Sequence, residues 1–466
     1  MGVSKDPIER WITGAWRRGA GRVLGLALAA GAVHAGLVAL GDLDRRIAVL
    51  LIAHAVLVLL MLLAWRGACA SAAGYTVAVG AALVFRVVAA LAEPSLSNDA
   101  YRYEWDGRVQ LHGVHPYAHA PADPALADLR DETATRINHP ELRTIYPPLA
   151  ELAFAALAAT GLGVRGFQLA FGLLDFGVVL ALARLLAVRG LPRERVVLYA
   201  WNPLAILESA GSGHVEPLGV ALLVLAAAWT SDERRGLGAA ALGAAIQAKL
   251  LPLVLVPGYL RRFRARHAAV LALVVVGLLV PYATTGPALG AGLADYAERW
   301  EFNALGFAAV RGALVALDSG RALAPLVDAM RARLGDGLVP WERVARFVWP
   351  EPLARLVVGL ALAVWIGAVL LRRVAEPSVE SIHVIGAALL LAPTVHPWYV
   401  LWILPFAVAH LSLPWLAFAA LAPLAYTAQG GDVAWPVRCL EYGPVLGLLL
   451  RDAWARRVVA REASRW

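Results

Sequence analysis

Repeated apolar blocks constrain this chain more than any other feature of its sequence. Uncharged stretches such as 23–40, 47–65, 268–280 and 356–371 approach the roughly 20 residues that a helix needs to cross the hydrocarbon core of a bilayer. Only helices or closed barrels can satisfy their backbone hydrogen bonds there, and the blocks lack the alternation of barrel strands. The sequence therefore predicts an all-α, polytopic membrane helical bundle with about 11–14 spans.

Charge and composition support the same class. The chain is 60% hydrophobic and 16% charged, whereas soluble domains are about 45–50% apolar and 25% charged. The formal net charge of +8 does not indicate nucleic-acid binding, because the basic residues form short runs between apolar blocks, as in cytoplasmic loops. These runs lie at 17–22, 234–235, 261–267, 372–373 and 451–465.

A topology with a cytoplasmic N-terminus divides the chain into five regions. These are N-terminal helices with an extra hairpin (1–93), a large extracytoplasmic loop (94–147), core helices (148–286), a second extracytoplasmic region (287–351), and C-terminal helices with a basic cytoplasmic tail (352–466). Two helices near 148–163 and 167–187 are predicted to form a hairpin. Counting helices then places 189–195 outside, which conflicts with its three arginines.

The first long loop is the segment least compatible with lipid. Residues 97–146 carry eight acids and five arginines, a net charge of −3 in a basic protein, and this predicts an extracytoplasmic position. Read as a helix, the start of the loop places Asp99, Tyr103 and Asp106 on one face. The four loop histidines lack compact metal-ligand spacing, so no metal site is predicted.

Three further polar clusters are predicted at the same membrane face. They contain His214 and Glu216, Lys249 (the only lysine in a predicted span), and His396. Ionisable groups inside membranes are costly and by default indicate function. Simpler interpretations stay open for each: Asp99 as a helix N-cap, Lys249 as a snorkelling side chain, and the histidines as core residues.

The order and spacing of these motifs resemble those of polyprenyl-phosphate-dependent mannosyltransferases of the GT-C superfamily, over about Ala90 to Pro405. The motifs are DAYRYEWDGR from Asp99, HPY at 115–117, INHP at 137–140, TIYPP at 144–148, WNP at 201–203, AGSGH at 210–214, Lys249 with Pro252, and HPWY at 396–399. Two features depart from the family pattern: the extra N-terminal hairpin, and Glu216 where aspartate is common.

The resemblance implies a GT-C fold whose first large outer loop carries the catalytic acid, at Asp99. It implies an enzyme of the bacterial plasma membrane that moves a sugar, mannose, from a polyprenyl-phosphate donor to a hydroxyl of a glycan or lipid acceptor, with inversion, at the extracytoplasmic face. No cofactor, metal or nucleic acid is expected. The substrate-binding residues expected are Arg102, Tyr103, Asp106, Arg108, Tyr146, His214, Glu216, Lys249 and His396.

Two other functions are compatible with a multi-span protein. Broken helices and intramembrane charges are also found in transporters and lipid flippases, although the sequence shows no repeated halves. An O-antigen-type ligase or polymerase would use a pyrophosphate-linked donor instead.

Overall fold

The computed structural model describes residues 7–335, 339–428 and 430–463, and it contains helices but no strands within those ranges. The predicted all-α polytopic class is confirmed. Residues 464–466 of the predicted cytoplasmic tail lie outside the described residues.

The longer helices follow the apolar blocks. Three precede the first long loop: Pro7–Leu40, Ile47–Ala70 and Ala72–Ala89. The loop itself contains the helix Asp99–Leu111, here named the loop helix, and 3-10 turns at Pro124–Leu129 and Thr133–Arg136. The central helices are Pro148–Ala158, Gly163–Val188, Glu216–Ser231, Arg235–Ala248 and Ala265–Leu279. Those of the C-terminal half are Ala291–Arg299, Gly306–Ala316, Ser319–Leu334, Trp341–Arg346, Pro350–Leu371, Pro377–Leu391, Leu404–His410, Leu413–Leu421 and Trp435–Ala463.

Six of the described helices are long and apolar enough to cross a membrane: Gly19–Leu40, Ile47–Cys69, Ala72–Ala89, Gly163–Val188, Ala265–Thr284 and Pro350–Leu371. Their outer faces carry exposed aliphatic side chains; Leu273 and Val364, for example, are each 72% exposed. Such continuous apolar surfaces are unfavourable in water and ordinary in lipid. The other apolar helices are shorter, so the count of about 11–14 spans stays a prediction.

The helix Pro148–Ala158 corrects one part of the predicted topology. Its 11 residues extend only about 16 Å, roughly half of the hydrocarbon core. It packs closely on the loop helix: a Cβ on Gly107 would lie 2.3 Å from the carbonyl oxygen of Phe154. We therefore assign it to the loop end of the bundle, so that of the two helices in the predicted hairpin only Gly163–Val188 is long enough to cross.

The arginine-rich segment 189–195 consequently lies at the opposite end from the loop. Arg193 lies over the ring of Tyr75, 4.8 Å from its centroid, at the start of the helix whose other end leads to the loop. Arg189 pairs with Glu376 at 2.8 Å, and Glu376 precedes a helix that runs toward His396. The prediction that this segment shares the loop's side was wrong because a short helix was counted as a span. At the end opposite to the acidic loop, the positive charge of this segment agrees with the rule that basic loops are cytoplasmic.

A buried ion pair joins the helices in the middle of the bundle. Arg86 Nε donates to Asp175 Oδ2 at 2.8 Å, and Tyr199 Oη donates to Asp175 Oδ1 at 2.6 Å. Both charged side chains are almost inaccessible. The pair lies beside Ala210, because a Cβ on Gly172 would lie 2.9 Å from the Ala210 Cβ and 3.7 Å from the Arg86 Cβ.

Candidate functional site

A cavity of about 990 Å³ opens at the end of the bundle that carries the first long loop. Its walls come from segments far apart in sequence: the start of the loop helix, 138–146, 296–302, 396–399 and 425–432. One parallel bridge ties two of these segments together, because Phe302 N donates to the Pro393 oxygen (3.1 Å) and Val395 N to the Phe302 oxygen (2.8 Å). This bridge holds His396 against the second long region.

Asp99 lies at the cavity wall as the first residue of the loop helix. Asn98, not Asp99, precedes the helix as its N-cap. The carboxylate of Asp99 accepts a hydrogen bond from Tyr103 Oη at 3.4 Å, and its Oδ2 lies 3.8 Å from His214 Nε2. The side chain keeps 20% of its surface exposed. The carboxylate is therefore directed to the cavity and to His214, and the capping interpretation does not describe it.

His214 is fully buried between two carboxylates. Its Nδ1 lies 3.1 Å from Glu208 Oε2, opposite the nitrogen that faces Asp99. Glu208 Oε1 in turn accepts a hydrogen bond from Tyr426 Oη at 2.7 Å. Glu208 was not among the predicted site residues. The signal for it was present, because it is the charged residue in the largely apolar stretch 203–211.

A column of stacked rings connects His214 with the cavity. The ring centroids of His214 and Trp398 are 3.9 Å apart, those of Trp398 and His396 4.3 Å, and those of His396 and Phe302 4.6 Å. Trp398 and His396 line the cavity, whereas His214 lies behind them. The structure thus places His214 and His396 near Asp99, with His214 facing Asp99 at 3.8 Å from behind the cavity surface.

Lys249 presents a cation to the same cavity. Its ammonium pairs with Glu216, which is fully buried, and lies 4.6 Å from the centre of the Tyr399 ring. Tyr399 and Tyr296 share a hydrogen bond between their hydroxyls at 2.7 Å. Glu216 therefore holds Lys249 in place and does not itself line the cavity.

Arg102 supplies a second cation. Its Nε donates to both carboxylate oxygens of Asp106 at 2.9 Å, and its Nη1 donates to the Leu142 oxygen at 3.0 Å. Its Nη2 is buried and has no hydrogen-bond partner among the described residues. Burial raises the pKa of Asp106, and the Arg102 guanidinium opposes that rise. Asp106 thus orients Arg102 and leaves one N–H group available to a ligand.

The remaining predicted residues divide between the cavity and the loop interior. Tyr146 lines the cavity, and its ring packs edge-on against the buried Tyr103, with centroids 5.0 Å apart. Arg108 lies elsewhere: it pairs with Asp131 and Glu104, and the Arg108 guanidinium holds the pKa of Asp131 below its usual range. The structure therefore does not bring Arg108 to the cavity.

Several cavity residues were missed by sequence reasoning. Three arginines at its wall come from separate segments: Arg45, Arg143 and Arg299. Surface arginines carry no signal by themselves, so only the tertiary structure reveals them. Among the described residues, no group of three or more histidine, cysteine or carboxylate side chains could hold a metal ion.

One comparison with known proteins finds a matching family. A family model described as Alpha-(1->6)-mannopyranosyltransferase, N-terminal domain, matches residues 12–263, more than half of the 466 residues. No curated protein and no solved structure matches the chain.

Proposed function

Because the chain belongs to the alpha-(1->6)-mannopyranosyltransferase family, we propose that it transfers mannose from a polyprenyl-phosphate donor to a hydroxyl of a glycan or lipid acceptor, at the extracytoplasmic face of the plasma membrane. Membership makes it a membrane glycosyltransferase. The observation that carries the finer proposal is that the carboxylate of Asp99 lines the same cavity as the cationic side chains of Arg102 and Lys249.

The lipid-linked donor follows from where the cavity lies. It opens at the end of the bundle opposite to the arginine-rich segment 189–195. If basic loops are cytoplasmic, the cavity faces outward, where no nucleotide-sugar pool exists. A donor anchored in the membrane by its lipid reaches such a site directly.

The reaction is a single displacement at the anomeric carbon. The acceptor oxygen forms a bond to the anomeric carbon. The bond between the anomeric carbon and the phosphate oxygen breaks, and polyprenyl phosphate leaves with the electron pair. Asp99 takes the proton of the acceptor hydroxyl as a general base. Lys249 and the unpaired N–H of Arg102 stabilise the negative charge that develops on the phosphate.

Stereochemistry provides the direct test of donor and mechanism. A single displacement that forms an α linkage requires a β-linked donor. Purified protein in nanodiscs is expected to transfer radiolabelled mannose from polyprenyl-phosphate β-mannose and not from the α anomer, and the product linkage is read by α-mannosidase digestion. Transfer only from a pyrophosphate-linked donor would favour the O-antigen-type enzyme. Movement of the donor across the bilayer with no new glycosidic bond would favour a flippase.

Lys249→Met is expected to weaken donor binding by about 1.5–3 kcal/mol, or roughly 10- to 150-fold, because one charge-assisted contact to phosphate is lost. Donor titration against the purified variant measures this change. The double variant Lys249→Met/Glu216→Gln separates the phosphate contact from the effect of leaving Glu216 buried without its cation. If the double variant regains wild-type donor affinity, Lys249 does not bind the phosphate.

Thiol labelling tests the orientation of the bundle. Cys69 and Cys439 are exposed and are first replaced by serine. A cysteine at Ala122 in the loop is then expected to react with an impermeant reagent in intact cells, and a cysteine at Arg193 only after lysis. Reaction at position 193 in intact cells would reverse the proposed sides.

A further inference from the structure

Glu208 is a fully buried acid that has no role in the mechanism above. Glu208 contacts only two polar side chains among the described residues: Tyr426 at 2.7 Å and His214 at 3.1 Å. A carboxylate at this depth is costly unless it is hydrogen-bonded or paired. Its partner on one side is a histidine that lies next to Asp99.

The local backbone places the Glu208 carboxylate beside Nδ1 of His214. Residues Leu207–Gly211 form a π-helical turn. This geometry is rare in proteins, and where it does occur it is often at a functional site. The His214 amide donates to the Glu208 carbonyl oxygen at 3.0 Å, which closes the turn. Gly213 adopts φ = 73°, and a Cβ there would lie 3.1 Å from the Gln168 Cγ and 3.2 Å from the Ala100 Cβ.

The imidazole is held in one orientation. Trp398 covers one face of the ring, and neither ring nitrogen makes a hydrogen bond among the described residues; each faces a carboxylate instead. Nδ1 faces Glu208 at 3.1 Å, and Nε2 faces Asp99 at 3.8 Å. A carboxylate at Nδ1 selects the tautomer with the proton on that nitrogen, so that Nε2 carries a lone pair.

We propose that Glu208 is a positioning residue that acts through His214 on Asp99, and this inference rests on the proposed role of Asp99 as the base. Once Asp99 has taken the acceptor proton, its O–H bond breaks and an N–H bond forms at Nε2. The imidazolium is then stabilised by the Glu208 carboxylate, and Asp99 is again ionised. The proton returns through Asp99 to solvent after product release. The 3.8 Å gap is longer than a hydrogen bond, and catalytic hydrogen bonds commonly shorten only when substrate is bound.

A double-mutant cycle tests this chain of action. Glu208→Gln can place its amide N–H toward Nδ1, which moves the ring proton to Nε2 and removes the acceptor that faces Asp99. We expect kcat to fall about 10²-fold with an unchanged KM for polyprenyl-phosphate mannose. In the Asp99→Asn background the same substitution is expected to cost nothing further, because no proton reaches Asp99.

A merely structural role predicts a different pattern. Glu208→Gln would then multiply its loss in both backgrounds or raise the KM, and either result overturns the inference, as does an unchanged kcat. Glu380→Gln is the matched control, since it alters another buried acid at the far end of the bundle, where Glu380 pairs with Arg261 and Arg262. Its kcat per folded molecule is expected to match the wild type.

Two further results keep the proposals separate. If Glu208→Gln does not fold, His214→Gln replaces it in the same cycle, with the same expected absence of further loss beside Asp99→Asn. If Asp99→Asn alone retains wild-type turnover, the proposed base fails. If Asp99→Asn abolishes turnover but the losses multiply, only the role of Glu208 fails.

Discussion

Replacing Asp99 by asparagine is expected to lower turnover by about 10²–10⁴-fold while donor affinity stays unchanged. Asparagine is nearly isosteric and can still accept the hydrogen bond from Tyr103 Oη. It cannot take a proton from the acceptor, so the loss falls on kcat. Single-turnover transfer of radiolabelled mannose, measured beside donor binding to the same preparation, checks both parts.

Two comparison variants in the same loop sharpen this result. Asp128→Asn changes an exposed acid outside the cavity and is expected to leave turnover unchanged. Asp106→Asn weakens the hold on Arg102 and is expected to cost less than Asp99→Asn, since Asp106 orients a cation and takes no proton. If Asp99→Asn keeps a tenth of wild-type turnover, Asp99 is not the base.

Arg86→Met is expected to destabilise the folded protein by about 3–5 kcal/mol, because it leaves Asp175 charged, buried and unpaired. Tyr199 can donate only one hydrogen bond to that carboxylate, which does not replace an ion pair. Equilibrium unfolding in detergent micelles measures the change. Arg451→Met is the control, because Arg451 pairs with Asp452 at an exposed position and such pairs contribute about 0–1 kcal/mol.

The double variant Arg86→Met/Asp175→Leu identifies the cause of that loss. Removing both charges leaves no ion in the interior, so most of the lost stability is expected to return. If the double variant is as unstable as Arg86→Met, the loss comes from packing around Gly172 and Ala210 and not from the orphaned carboxylate. The pair lies next to the turn that carries Glu208, so activity is expected to recover together with stability.

Periodic and compositional features were sufficient to predict the class of this protein. Apolar blocks long enough for a bilayer lead to helices because backbone groups have no other partners in lipid. The acidic loop and the residues Lys249 and His214 were visible as exceptions to this pattern. Ionisable side chains in predicted spans are energetically costly, so their presence indicates a functional role. Asp99 was marked by its place at the start of the loop.

Contacts between distant segments were decided only by the tertiary structure. Glu208 and His214 are six residues apart, and a π-helical turn and Gly213 shape the backbone so that Glu208 faces one nitrogen of His214 while Asp99 faces the other. Arg108 shows the reverse: its charge and spacing match those of Arg102, but the loop folds Asp131 against it. Whether a charged side chain of the loop faces the cavity or the loop interior depends on tertiary packing, and a local sequence pattern does not predict that packing.

Topology shows the same division between local signal and three-dimensional context. The sequence by itself determined that Pro148–Ala158 is an apolar helix, because its residues favour one and Pro147 and Pro148 open it. Whether that helix crosses the bilayer depends on its length and on Gly107, which lets the loop helix approach the Phe154 backbone. Local propensity forms the helix, and close packing against a distant segment determines that it stays at the loop end, which places segment 189–195 at the other.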